Sequence, residues 1–131
     1  MITAATITPV PKHRQQAALR FLADAQEADA LQELRAESDL SPAHAPAALA
    51  VLAKRNLPVT AEEAVAVLAA HEPALLEVLR GLLSGGRRRE ALIFLRSTTG
   101  TGVVTARRIV ARIAPTPPQG TDVGFRPGPA S

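Results

Sequence analysis

Arg96-Ser97-Thr98-Thr99-Gly100-Thr101-Gly102-Val103-Val104-Thr105-Ala106-Arg107 is the stretch that decides the fold. A Gly on each side of one residue lets one helix finish in the left-handed region and the next begin a few positions later, with the two backbones close together. Gly100 and Gly102 therefore read as the structural turn of a tight helical hairpin, with helices over about 87–97 and 103–114. A second reading is an anion site, because Gly102 and Val103 would leave free N–H groups at a helix N-terminus with Arg96 or Arg107 nearby. A phosphate-binding loop or dinucleotide fingerprint would also need a preceding strand, and a third Gly or a Gly-Lys-Ser/Thr ending. Neither is present.

Upstream of this turn, apolar residues keep helical spacing and no segment alternates as a strand would. The expected fold is all-α, with about six short helices ending in the Gly-rich hairpin. A first helix over about 14–37 would bury Ala18, Phe21, Leu22, Ala25, Leu31 and Leu34. A second, over about 46–55, ends at Asn56-Leu57-Pro58. Thr60 and Glu63 form a Thr-x-x-Glu capping box opening a third helix over 61–70. Pro73 opens a fourth with Leu75, Leu76, Leu79, Leu82 and Leu83 on its core face, and Gly85-Gly86 closes it. The expected organisation is a disordered segment over 1–12, an acidic helical part over 13–84, the basic hairpin over 85–114, and a disordered tail over 115–131. That tail holds five Pro and three Gly in seventeen positions.

Charge divides the chain in two. Residues 1–79 carry six Lys/Arg and ten Asp/Glu, whereas 80–131 carry nine and two, so an acidic half with net −4 precedes a basic half with net +7. Such a basic segment suits an acidic protein, or a ribosome or RNA, unless the acidic half covers it. The aromatic content of 2%, three Phe with no Tyr or Trp, argues against a base-stacking platform. The absence of Cys removes thiolate metal sites and cysteine nucleophiles. With neither a membrane-length apolar run nor a signal-peptide pattern, a cytoplasmic location with no membrane contact is expected.

Arg96, Thr99, Gly100, Gly102, Val103, Ala106, Arg107 and Val110, taken with Gly86-Arg87 and Glu90-Ala91, resemble the helical hairpin in the C-terminal domain of the bacterial ribosomal stalk protein. The spacing is also similar to the N-terminal helical module of elongation factor Ts. The stalk resemblance covers about residues 85–113 and implies docking of a translation factor through apolar and basic residues on the paired helices. Arg96 and Arg107 match basic members of that surface. Ile93 and Val104 depart from it, standing where the stalk usually has Lys, and Thr101 replaces an apolar residue. Upstream, Ala18-Leu19-Arg20-Phe21-Leu22, Leu31-Gln32, the run Ala47 to Lys54, and Val59-Thr60-Ala61-Glu62-Glu63 resemble the helical leader segments named after a nitrogen-fixation locus. That resemblance implies recognition by peptide-modifying enzymes and cleavage after Gly85-Gly86, although no Cys follows.

The candidate partner-binding residues are Arg87, Arg88, Arg89, Ile93, Arg96, Val104, Arg107, Arg108 and Arg112. The guanidinium groups suit carboxylates or phosphates. Arg108 and Arg112 lie four apart on one helical face, while Ile93, Phe94 and Val104 offer apolar contact, and a homodimer could cover such a surface. His13, His44 and His71 are too widely spaced for a local metal motif, so neither metal nor cofactor is expected. Asp39, Ser41 and His44 have the residue types of a hydrolase triad but share one Pro-containing loop without an oxyanion scaffold. The expected function is a small non-enzymatic protein-binding or adaptor module. Its alternatives are the leader-type precursor and non-specific RNA or DNA binding through the arginines.

Overall fold

The computed structural model describes residues 2–113; the tail expected over 115–131 lies outside them. The described residues form eight helices and no strand. They are α1 (Ala4–Ile7), α2 (Lys12–Ala23), α3 (Glu27–Arg35), α4 (Ala45–Leu52), α5 (Ala61–His71), α6 (Pro73–Ser84), α7 (Arg88–Thr99) and α8 (Val103–Ile113). The all-α class stands, and the count of about six is corrected at two places.

The first correction is at the N-terminus, expected to be disordered. Thr3 caps α1, its Oγ1 accepting from the Ala5 N–H at 3.3 Å, while Thr6 Oγ1 accepts from the Thr3 N–H at 3.4 Å. Ile2, Ala4, Ala5, Ile7, Thr8 and Val10 are all buried. Four helical residues could not persist alone, because nucleation is costly; tertiary burial holds them. The second correction is the helix expected over 14–37, which breaks at Asp24-Ala25-Gln26. There Ala25 takes a φ of 59°, a left-handed conformation costing a non-glycine residue roughly 1–2 kcal/mol. The break folds α3 back along α2, so that Ala18 and Ala30 are both completely buried. The Arg14 guanidinium meets Glu33 at 3.0 Å and Glu37 at 2.8 Å, joining the start of α2 to the end of α3.

Elsewhere the local signals work as expected. Thr60 Oγ1 accepts from the Glu63 N–H at 3.2 Å, and the Glu63 carboxylate accepts from the Val59 N–H at 2.6 Å, one residue earlier than a standard box. Gly86, at φ 76°, closes α6: its N–H reaches the Leu83 carbonyl at 3.1 Å and the Arg87 N–H reaches Leu82 at 2.8 Å. This pair of bonds is the Schellman arrangement.

Two apolar clusters result. One joins Ala18, Ala30, Leu34, Leu40, Ala48, Leu49, Leu52 and Leu57 from α2–α4 and their loops; the other joins Leu68, Leu75, Leu79, Ala91, Leu95, Ala106, Ile109 and Val110 from α5–α8. The N-terminal segment serves both, sending Ala4, Ala5 and Val10 into the first and Ile2 and Ile7 into the second. Accordingly α1 packs on α4 and on α5. Gln15, 5% exposed, ties the N-terminal segment to the loop after α4: its amide N–H groups reach the Val10 and Leu57 carbonyls at 2.9 and 3.0 Å, and its carbonyl accepts from the Leu57 N–H at 3.0 Å.

Candidate functional site

The basic segment is built on α7 and α8, joined by Gly100-Thr101-Gly102 and packed against each other. Ala91 and Leu95 of α7 and Ala106, Ile109 and Val110 of α8 are fully buried, so each helix commits one stripe to the core. Gly100 ends α7 in the left-handed region at φ 78°, and its N–H returns to the Arg96 carbonyl at 2.8 Å. Inside the turn, Thr99 Oγ1 donates to the Leu95 carbonyl at 2.7 Å and accepts from the Thr101 hydroxyl at 3.3 Å.

The anion reading of this turn meets an internal occupant. Asp39, from the loop between α3 and α4, accepts from the Thr105 N–H at 2.9 Å through Oδ2 and from the Thr105 hydroxyl through Oδ1. A carboxylate at a helix N-terminus satisfies free N–H groups and opposes the macrodipole. The end of α8 is thereby supplied with an anion by the chain itself. Gly102 is required by this contact, since a Cβ there would lie 2.2 Å from Asp39 Oδ2. A Cβ at Gly100 would meet the His44 ring at 2.7 Å. The two glycines accept the loop carrying Asp39 and His44, a role additional to making the turn.

That loop also answers the triad arrangement. Ser41 Oγ lies 2.8 Å from His44 Nδ1, while the Asp39 carboxylate is spent on Thr105. A hydrolytic triad would need Asp on one ring nitrogen and Ser on the other. Asp39 instead fastens the loop to α8, while Ser41 and His44 bond each other within the loop.

The arginines remain at the surface. Arg87 pairs with Glu90 at 3.4 Å, both side chains well exposed. Arg88, Arg89, Arg96, Arg107, Arg108 and Arg112 are exposed and have no carboxylate within 4.0 Å among the described residues. The acidic half therefore packs beside this segment, α5 against α8, without forming an ion pair to it among the described residues, although Glu62 shares a recess with Arg108 and Arg112, and Glu37 and Asp39 another with Arg108. Arg96 Nε reaches the Thr101 carbonyl at 3.4 Å, which holds it near the turn. Arg107 is one turn into α8. Arg108 and Arg112 occupy the flank toward α5, where they line a recess of about 470 Å³ with Thr60, Ala61 and Glu62. Arg88 and Arg89 lie at the far end of α7, remote from the turn.

Among these charges are exposed apolar side chains: Ile93 at 57%, Val104 at 51% and Val103 at 41%. Phe94 is half-buried against the second cluster, as are Leu92 and Ile113. Val103, the first residue of α8, lies outside the buried stripe formed by Thr105, Ala106, Ile109 and Val110. A larger recess, about 790 Å³, opens between α2 and the 56–60 loop, lined by Leu19, Val59 and Val67 and remote from the arginines in sequence. Among the described residues no group of three His, Cys, Asp or Glu side chains is arranged to hold a metal ion. No described helix is long and apolar enough to cross a membrane.

Asp39 and Gln15 are the structurally decisive polar residues that a local reading of the sequence misses. Asp39 stands 66 positions from Thr105 and Gln15 stands 42 from Leu57, so no local pattern marks either. Comparison with protein-family models, with curated proteins and with solved structures finds no match.

Proposed function

We propose that this chain is a small non-enzymatic binding module that contacts an acidic protein through the solvent-facing surface of α7 and α8. The observation that carries the reading is the set of six exposed arginines with no carboxylate partner among the described residues, interspersed with exposed Ile93, Val103 and Val104. Charges left unpaired on a rigid helical pair cost the free protein little, being solvated, and are available to a partner of opposite sign. The apolar side chains among them supply area whose burial favours association. A translation-associated role rests on the stalk-like residues alone, and a homodimer would be one way to cover the same surface.

Two alternatives have a specific observation each. Nucleic-acid binding draws on the same arginines, and it requires affinity to fall steeply with salt as counterions are released. The leader reading draws on the exposed Gly85-Gly86 turn, where a Cβ at Gly86 would meet nothing within 4 Å. Cleavage there would separate Ala91, Leu95, Ala106, Ile109 and Val110 from Leu68 and Leu79, with which they form one cluster. That cost disfavours it.

The test is capture from a nuclease-treated lysate of the host with the wild-type protein and with Arg96→Glu/Arg107→Glu. Loss of a nuclease-resistant protein in the variant, at unchanged melting temperature, is the expected result. Equal capture by both proteins refutes the reading.

A further inference from the structure

The partner's own shape is legible in the spacing on α7 and α8. On α7, Arg89 precedes Ile93 by four residues and Arg96 follows it by three, so an exposed apolar side chain has a guanidinium about one turn to either side on the same face. On α8, Val104 is followed at three and four residues by Arg107 and Arg108, all three exposed. The 100° helical period puts Val103 and Arg107 on one flank of α8 and Arg108 and Arg112 on the other, toward α5. Arg107 and Arg96 then border the valley between the two helices near the turn.

We infer that this face takes an acidic amphipathic helix, laid along the α7–α8 valley, with apolar side chains on Ile93, Val103 and Val104 and carboxylates one turn away on Arg96 and Arg107. The inference rests on the reading above and narrows it to one kind of partner. Charge complementarity sets the sign: residues 87–112 contain seven Arg and one acid, Glu90. Exposed apolar side chains between the charges select an amphipathic protein element over a nucleic acid. A phosphate backbone gains nothing from Ile93 or Val104, and the face has no exposed aromatic ring on which bases would stack. Helix-in-groove recognition reads anchors at three- and four-residue intervals, and the receptor side here has that interval.

The probe is a fluorescent helical peptide of about four turns with Leu and Glu alternating at three- and four-residue steps on one face. A composition-matched peptide with the pattern scrambled and an oligouridine RNA are measured beside it, by anisotropy at low and moderate salt on the full chain. The expected result is tighter binding of the patterned peptide than of the scrambled one. Arg96→Glu/Arg107→Glu and, separately, Ile93→Ser/Val104→Ser should each weaken it by about tenfold. All four positions are exposed, and circular dichroism checks that each variant is folded; the patterned-against-scrambled comparison needs no variant. Equal binding of both peptides, or indifference to Ile93 and Val104, overturns the helix inference while leaving an acidic partner in place. Oligouridine binding tighter than either peptide and lost with the arginines overturns it in favour of nucleic acid. No binding of any probe at low salt overturns both this inference and the broader reading.

Discussion

Gly102 is a residue whose importance lies in what a neighbour needs. Its missing Cβ admits the Asp39 carboxylate to the N-terminus of α8, so Gly102→Ala would push that carboxylate out and forfeit the cap. A loss of about 2 kcal/mol is expected in urea denaturation. Gly81→Ala makes the contrast: Gly81 lies inside α6 with nothing within 4 Å of a new Cβ, and the same measurement should find a gain of about 0.5–1 kcal/mol. Thr8 is the opposite case, a fully buried hydroxyl with no hydrogen-bond partner. An unsatisfied buried donor costs about 1–3 kcal/mol, so the near-isosteric Thr8→Val should raise stability by about 1 kcal/mol; a loss would mean the hydroxyl is satisfied in solution. Where the start of α2 meets the end of α3, hydrogen bonds from Arg14 and then from His13 hold the Glu37 carboxyl below its ordinary value. The stability tied to that shift is fully present above the unfolded-state value and is lost as pH falls through the folded one. Titration by NMR should find Glu37 low in the native chain and raised toward the ordinary range by Arg14→Ala, with His13 still lowering it.

At the scale of elements, legibility follows the range of the interaction. The boundaries of α5, α6 and α7 are marked by Thr60, Pro73, Gly86 and Gly100, residues that act on their own backbone within four positions. The break between α2 and α3 has no Gly or Pro. The sequence hides it, because Ala28 lies three residues after Ala25 and three before Leu31, so the apolar spacing runs on as in one continuous helix. The short α1 is hidden too: Ile2-Thr3-Ala4-Ala5-Thr6-Ile7 is too short and too β-branched to signal a helix. Its contribution is made through Ile7, which is wholly buried among α5–α8 residues. Ile7→Ala should therefore cost about 2–5 kcal/mol by chemical denaturation, the range of a core truncation. A cost below about 0.5 kcal/mol, as on a surface, would show that the N-terminal segment is not docked in solution.

For the whole molecule, the division of charge does not follow the division of packing, because α5 and the start of α6 belong to the acidic half yet share an apolar cluster with the basic α7 and α8. The first apolar cluster belongs to α2–α4, the second to α5–α8, and α1 and the Asp39–Thr105 contact join them. The basic face of α7 and α8 lies on the second unit, beside α5 but not ion-paired to it among the described residues. If association depends on that face, Arg96→Glu/Arg107→Glu separates binding from folding, because neither side chain contributes to a buried cluster. The sequence by itself determined the helical class, most helix ends and the location of the arginines, because periodicity, capping and charge act over a few residues and survive without a partner. It also marked Arg96, Arg107, Ile93 and Val104 as candidates. Tertiary structure alone decided that the N-terminus is core, that α2 and α3 are two helices, and that Asp39 fills the α8 end. Each depends on contacts between distant positions, whose free energy exists only once the chain has folded.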